Sequence, residues 1–327
     1  MYFFEDNNVD HYQRLSSGGK TVPELATNSY DNKIAKFLGH YIKTDRSYRH
    51  IKRYRGKAVY DVTYQIDSFG RRKTLRNNIN NKNALVLFGG SFGFGEGLMQ
   101  ENTLLGKLSN LNPKHNYYNY SMRGTSMGET LLWIDKLLTQ RELPEKNKTA
   151  IFLFGDFQLL RIHNSLSHVA SNGGNSPNFY LHEDQRVYGG APFVKDHPLK
   201  TWLYQLLYKS RLIRYLKLDY PLVYGHYQES DYQLFTSLTK RAFLRLKENF
   251  GFQRAVVIVY GSFFNLTPLV KQLEANQIEV LDYSKMFSEK DWYDYTIPHD
   301  QHPNSKATEL LANKLYSDLE LNNATNQ

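Results

Sequence analysis

Apolar and polar positions along the chain follow two patterns. In "AVYDVTYQIDSFGRRKTLR" they alternate, with Tyr60, Val62, Tyr64 and Ile66 on one side and the turn-like "DSFG" at the end. Alternation at period two predicts a half-buried strand. After the Asn-rich linker "NNINNKN" come the short apolar runs "ALVLF", "YYNYS", "AIFLF", "AVVIVY" and "IEVLDY", separated by amphipathic stretches. Such runs predict buried parallel strands joined by crossover helices, so the fold class expected is α/β, a three-layer α/β/α sandwich with a mainly parallel sheet. Residues 1 to about 45 are polar, with weak periodicity, and predict an irregular arm. The expected organisation is an N-terminal arm and accessory strand region over 1–80 and a larger domain over 81–327.

Several helices carry their own start signals. Ser126 and Glu129 make an S-x-x-E capping box before "TLLWIDKLLTQ", and Thr267-Pro268 offers a cap and an N1 proline before "LVKQLEANQ". Asn304 is a good N-cap for "SKATELLANKLYSDL", where Ala307, Leu311, Leu315 and Leu319 form one stripe. Residues 163–200, rich in Gly, Asn, His and Pro, predict an inserted loop acting as a lid or binding loop, or partly disordered. The basic, aromatic "TWLYQLLYKSRLIRYLKL" after it predicts one helix. There is no internal repeat.

Composition narrows the picture only partly. A chain of 327 residues with 41% hydrophobic content can bury a sizeable core. The net charge of +9 favours anionic partners without choosing among glycans, lipid headgroups and nucleic acid. Zero cysteines exclude disulfides, thiolate metal sites and cysteine catalysis. With no apolar run of 18 residues and no secretory pattern at the start, the chain is expected to be cytoplasmic, or of the cell envelope, periplasm or exterior if a signal or anchor was removed.

Chemistry concentrates at two places. "ALVLFGGSFGFGEGL" sets Ser91 directly after the first sheet strand, at the end where open α/β sheets bind ligands. Gly89 and Gly90 leave its hydroxyl and the nearby amides uncrowded, and a following helix from "GLMQENTLLGKL" offers N–H donors for an oxyanion. A phosphate-binding P-loop does not fit, because Leu98 rather than lysine follows Gly97. A structural glycine turn is the competing reading. Near the other end, "IPHDQHPNSKATELLANKL" sets Asp300 and His302 two apart before the last helix. Imidazole activates a serine best when a carboxylate fixes its tautomer, so Ser91, His302 and Asp300 together point to nucleophilic catalysis.

In this order of blocks, residues 84 to about 318 resemble the SGNH hydrolases, also called the GDSL esterase and lipase family. "FGGSFGFGEGL" is similar to the first block, which implies Ser91 as nucleophile and oxyanion-hole amide. "YYNYSMRGTSMGETL" is similar to the second, which implies Gly124 as the other amide donor. "DQHPNSKATELLA" is similar to the last, which implies Asp300 as acid and His302 as base. "YDVTYQIDSFGRR" resembles the accessory strand of some bacterial members. The resemblance implies an SGNH/flavodoxin-like sheet in a catalytic domain over 81–327.

Two departures stand out. Phe157 in "FLFGDFQLLR" occupies the place of the third block's asparagine donor, leaving Gln158 and Arg161 as substitutes or as ordinary polar residues. The acid and base are two rather than three apart, a variant resembling SGNH-like proteins of envelope polysaccharide acetylation.

Other candidates read more weakly. Gly261-Ser262 in "VVIVYGSFF" lacks the glycines that would expose a nucleophile. His163, His168, His182 and His197 have no ligand-like spacing, so no metal is expected, nor any other cofactor. The basic "RSYRHIKRYRGK" and "RRKTLR" read as a solvated face or a surface for an anionic polymer, with no nucleic-acid motif beside them. The expected function is a serine esterase removing small acyl groups, acetyl foremost, from a small ester or acylated glycan. The alternatives are an O-acetyltransferase using the same triad and an inactive SGNH fold that binds a glycan. Oligomeric state is not legible in the sequence.

Overall fold

The computed structural model describes residues 13–15 and 45–321, apart from 141–142, 184–185, 217, 222–226, 262–264, 289–290 and 320. Three N-terminal strands, β1 (Gln13–Leu15), β2 (Arg46–Tyr54) and β3 (Lys57–Ile66), pair antiparallel in the order β1-β2-β3. The arm expected to be irregular thus supplies at least a short strand. The alternating run forms β3 as expected, with Tyr60, Val62, Tyr64 and Ile66 buried.

Each of the five apolar runs forms a strand: β4 (Asn83–Gly89), β5 (His115–Asn119), β6 (Asn147–Phe154), β9 (Arg254–Tyr260) and β10 (Glu279–Tyr283). They pair in parallel in the order β10-β9-β6-β4-β5. Leu85, Val86, Leu87 and Phe88 are covered on both faces of the sheet, each contributing about 2 kcal/mol relative to exposure. The chain adds β5 on one side of β4, then crosses to β6 on the other. Their carboxyl ends therefore flank a topological switch point, where ligands of such sheets bind.

The helices are α1 (Ser91–Phe94), α2 (Leu104–Leu111), α3 (Met127–Gln140), α4 (Phe157–Ile162), α5 (Leu166–Asn172), α6 (Phe193–Asp196), α7 (Pro198–Tyr208), α8 (Arg211–Tyr215), α9 (Glu229–Phe250), α10 (Thr267–Ala275) and α11 (Ser305–Asp318). α3, α9 and α10 cover one face of the sheet through Leu131, Ile134, Phe235, Leu238 and Leu269, while α2 and α11 cover the other through Leu105, Leu108, Leu311 and Leu315. This is the expected three-layer α/β/α arrangement.

The caps follow the sequence with one shift. The Ser126 N–H donates to Glu129 at 2.9 Å, and Asn304 accepts from the N–H groups of Lys306 and Ala307. Thr267 is already helical rather than the cap; Leu266 holds that place, and the Asn265 side chain accepts from the Thr267 N–H.

Residues 163–200 are not a loop. They hold α5, an antiparallel hairpin of β7 (Pro177–Leu181) and β8 (Val187–Pro192), α6 and the start of α7. Leu166, Val169 and Phe193 of this segment form a small core with Tyr204 of α7. Its composition hid this because only one short stripe in each element is apolar. The helix expected over 201–218 is broken, with Ser210 capping α8 through a hydrogen bond from the Ile213 N–H.

The "RRKTLR" run is a solvated face only in part: Lys73 and Arg76 are exposed, but Arg71 and Arg72 are not. Arg71 is buried, pairs with Asp67 at 2.7 Å and donates to the Tyr120 hydroxyl at 3.0 Å. Arg72 bridges Ile66 and Asn119 through its backbone, joining the N-terminal strands to β5. Its guanidinium, stacked on Tyr64 and Phe94, donates to the carbonyls of Phe94 (2.8 Å), Gly95 (2.6 Å) and Leu98 (2.6 Å). Burial pulls its pKa down to about 10. Arg72→Met leaves the Phe94 and Leu98 carbonyls without a donor and the Gly95 carbonyl with only the Leu98 N–H, and urea unfolding is expected to show a loss of about 3 kcal/mol.

Candidate functional site

Ser91 sits where β4 stops. Gly89, with φ of 156°, turns the strand end, and Gly90 caps the single turn of α1 that Ser91 opens. The Ser91 carbonyl accepts from the N–H groups of Gly95 (3.0 Å) and Glu96 (3.1 Å), which curls the glycine-rich stretch back on itself. Gly97 is required where that curl meets the N-terminal strands: its φ is 77°, and a Cβ there would lie 2.5 Å from Ile297 Cδ1. The Gly97 N–H donates to the Tyr64 hydroxyl at 2.9 Å. The first long helix after Ser91 is α2, which begins only at Leu104. Any oxyanion donation at Ser91 therefore comes from turn amides rather than from a long helix dipole.

The turn after β5 grips this stretch. Asn119 Nδ2 donates to the Gly93 carbonyl at 3.0 Å, and the Gly89 carbonyl accepts from the Met122 N–H (2.9 Å) and Thr125 Oγ1 (3.2 Å). Gly124 lies in that turn with φ of 74°. Among the described residues, the N–H groups of Ser91 and Gly124 donate to no protein acceptor, and the Ser91 hydroxyl has no protein partner. Two unengaged amides beside an unengaged hydroxyl are what an oxyanion site needs.

Asp300 and His302 lie in a tight loop before α11. The Ile297 N–H donates to the His302 carbonyl at 2.8 Å, and the Asp300 N–H donates to the Ile297 carbonyl at 3.1 Å. His299 and Gln301, on either side of Asp300, both have positive φ, 59° and 68°. Such backbone costs on the order of 1 kcal/mol per residue and persists only where its surroundings enforce it. The enforcing contacts come from β2: Tyr54 stacks on His299 at 4.0 Å between centroids, and Lys52 Nζ lies 2.7 Å from Asp300 Oδ2. The other carboxylate oxygen, Oδ1, binds His302 Nδ1. The His302 ring rests edge-on against Phe92, 5.5 Å between centroids, so the imidazole abuts the residue next to Ser91.

The far side of the imidazole faces a third carboxylate. Glu96 Oε2 is 3.5 Å from His302 Nε2, and Glu96 Oε1 is 2.7 Å from Arg123 Nη2, in the turn that carries Gly124. Burial would raise the Glu96 carboxyl, but the charges of Arg123 and His302 outweigh it and hold the pKa below the ordinary value. For Asp300 too, burial is outweighed by His302 and Lys52, leaving the pKa well below the carboxylate range. Burial would lower the His302 pKa, but Glu96 and Asp300 together raise it. Asp300 therefore stabilises the fold above the ordinary carboxylate value and loses that contribution as pH falls through its lowered pKa. His302 contributes below about 6.5 and loses its contribution as pH rises through its raised pKa.

Phe157, in place of the third-block asparagine, packs edge-on against Phe92 at 5.2 Å and carries the Arg161 guanidinium over its other side at 4.6 Å. Arg161 Nη1 donates to the Thr125 carbonyl at 2.9 Å, and Gln158 Nε2 to the Leu153 carbonyl at 3.3 Å. A Cβ built on Gly90 would lie 3.4 Å from that Arg161 nitrogen and 3.5 Å from that Gln158 nitrogen. Both donors thus stand beside the residue preceding Ser91. Burial pulls the Arg161 pKa down to about 10.

Lys52, Glu96 and Arg123 were missed by sequence reasoning. Glu96 carries a signal, since it lies in the same stretch as Ser91; Lys52 carries none, being 248 residues from its partner. The histidines disperse: His163 faces Asp231 at 3.3 Å and His168 bonds Ser176 at 2.8 Å. Among the described residues, no cluster of three His, Cys, Asp or Glu is placed to hold a metal. Ser262 lies outside the described residues.

NMR titration of the His302 ring checks the electrostatics. Glu96→Gln is expected to lower its pKa, by removing the charge facing Nε2, and Lys52→Met to raise it, by removing a nearby cation. Opposite signs from two neighbours of one ring would not arise from general loosening of the site.

No family model matches the chain, and no curated protein matches it in sequence. Among solved structures it is similar to a lipolytic protein of the G-D-S-L family from Veillonella parvula, at 11% identity and a TM-score of 0.39, over 72% of this chain and 97% of that one. It is similar to the psychrotrophic esterase EstA from Pseudoalteromonas sp., at 14% identity and a TM-score of 0.40, over 72% and 96%. It is also similar to an acetylxylan esterase, Axe2, from Geobacillus stearothermophilus, at 11% identity and a TM-score of 0.37, over 75% and 96%. The sequence blocks resemble those of the SGNH hydrolases, and the parallel sheet in the order β10-β9-β6-β4-β5, flanked by helices on both faces, is the α/β/α arrangement which that resemblance implies.

Proposed function

We propose that the chain is a serine esterase that removes small acyl groups, acetyl foremost, from an ester carried on carbohydrate. The observation that carries this reading is the combination at one switch point of an unengaged Ser91 hydroxyl, two unengaged amides and an imidazole whose Nδ1 is fixed by a buried carboxylate. His302 Nε2, released from Glu96, takes the Ser91 proton as Oγ attacks the acyl carbon. The Ser91 and Gly124 amides hold the oxyanion, with Gln158 or Arg161 as a third donor. His302 returns the proton to the leaving alcohol, giving an acyl-Ser91 that water then resolves by the same steps. If a sugar hydroxyl replaces water, the same residues make an O-acetyltransferase.

A second reading has its own support. Phe157 removes the third-block donor, and the resting Nε2 faces Glu96 rather than Ser91. An SGNH-like fold that holds an acylated glycan without cleaving it accommodates both features.

The test is hydrolysis of a chromogenic acetate, with labelling by a fluorophosphonate. Ser91→Ala and His302→Ala are each expected to reduce kcat/KM on the order of ten-thousandfold. No turnover and no labelling of the wild type would favour the binding reading. Because a general base must be unprotonated, kcat/KM is expected to rise through a pKa above the ordinary histidine value, with the limb moved to lower pH in Glu96→Gln. If Gln158 or Arg161 supplies the third oxyanion donor, its replacement by Ala is expected to lower kcat about a hundredfold with little change in KM.

A further inference from the structure

The inserted segment carries an apolar surface that the proposed chemistry does not use. α7 has two apolar faces: Tyr204 turns inward onto Leu166, Val169 and Phe193, while Leu199, Trp202, Leu203 and Leu206 lie outward at a spacing of three, four and seven residues. Leu199 is 83% exposed and Trp202 63%. α8 continues the surface with Leu212 at 63% and Tyr215 at 81%. Scattered exposed leucines are ordinary, but a contiguous patch of this kind marks an interaction surface. The high exposure of Leu199, Trp202, Leu212 and Tyr215 suits penetration into a soft phase.

Charge selects the phase. Between 193 and 220 the sequence carries Lys195, Lys200, Lys209, Arg211, Arg214 and Lys217 against only Asp196 and Asp219. Among the described residues, Lys209, Arg211 and Arg214 form no ion pair. An open cleft of about 550 Å³, lined by Ala170, Gln205, Tyr208, Lys209 and Arg214, adjoins the apolar face. The Arg214 Nε beside it is buried without a protein partner among the described residues. A guanidinium and an ammonium lining one open cleft, neither in an ion pair among the described residues, fit a phosphate oxygen.

We propose that α7 and α8 form a peripheral membrane-binding surface for anionic phospholipid, with Trp202, Leu206 and Tyr215 entering the headgroup boundary and Lys209 and Arg214 holding a headgroup phosphate. Helices that lie in the interface combine Trp and Leu on one side with Lys and Arg on the other in this way. No spanning segment is involved: among the described residues no helix is long and apolar enough to cross a bilayer.

Co-sedimentation of the whole chain with vesicles tests this, comparing phosphatidylglycerol mixed with phosphatidylcholine against phosphatidylcholine alone. Binding is expected only to the anionic vesicles and to weaken with salt. The exposed double substitution Trp202→Ser with Leu206→Ser is expected to reduce partitioning at least about tenfold. Lys209→Gln with Arg214→Gln is expected to reduce it severalfold. Far-UV circular dichroism and urea unfolding of each variant establish that the fold is kept. No binding to anionic vesicles overturns the proposal, as does binding that the Trp202 and Leu206 substitutions leave unchanged. Binding abolished by inorganic phosphate at constant ionic strength but indifferent to those two substitutions would mean an anion site alone, and overturns it. So would a dimer by analytical ultracentrifugation that the double substitution dissolves, in the absence of vesicle binding.

Discussion

The burial of Arg72 is the constraint on which the rest of the site depends. Its backbone ties β3 to β5, and its guanidinium satisfies three carbonyls in the turn that follows Ser91. The Gly95 carbonyl also accepts from the Leu98 N–H, but among the described residues those of Phe94 and Leu98 have only Arg72, so without it they would be buried unpaired or the turn would open. The N-terminal strands are therefore part of the machinery that shapes the serine turn. Their buried face, Tyr60, Val62, Tyr64 and Ile66, shares one core with Phe94 and Leu98 of the serine turn and Ile297 of the loop that carries Asp300 and His302.

The same hairpin acts on the loop of Asp300 and His302 by charge and stacking. Lys52 neutralises one oxygen of Asp300 while His302 occupies the other, so a nearly inaccessible carboxylate has a partner on each side. Tyr54 braces His299, one of two residues held with positive φ beside Asp300. A loop that is strained by itself is stabilised by contacts from a segment distant in sequence, and the geometry of His302 follows from those contacts.

Glu96 gives the site an electrostatic character beyond a serine, an acid and a base. It faces the imidazole nitrogen that a serine mechanism uses, and its other oxygen engages Arg123. The imidazole between two carboxylates is stabilised as a cation, and the turns bearing Ser91 and Gly124 are linked through Glu96 and Arg123. Phe157 makes one side of the site aromatic and carries Arg161 on its ring, beside Gly90.

What the sequence determined by itself was local and periodic. The five apolar runs form the five parallel strands, the alternating run forms β3, and Asn304 caps the last helix, because hydrophobic period and cap chemistry act within a few residues. Ser91 at a strand end and Asp300 with His302 before that helix were legible for the same reason. The fate of the charges was decided only by the tertiary structure. Arg71 and Arg72 read as a solvated run and are buried, and Lys52 meets an aspartate 248 residues away. Likewise the segment 163–200, polar enough to read as a loop, is held by contacts beyond itself: Leu166, Val169 and Phe193 form a small core with Tyr204, and its hairpin packs through Phe179 on the main core. A charge is set by whatever surrounds it, and those surroundings come from parts of the chain that no local pattern connects.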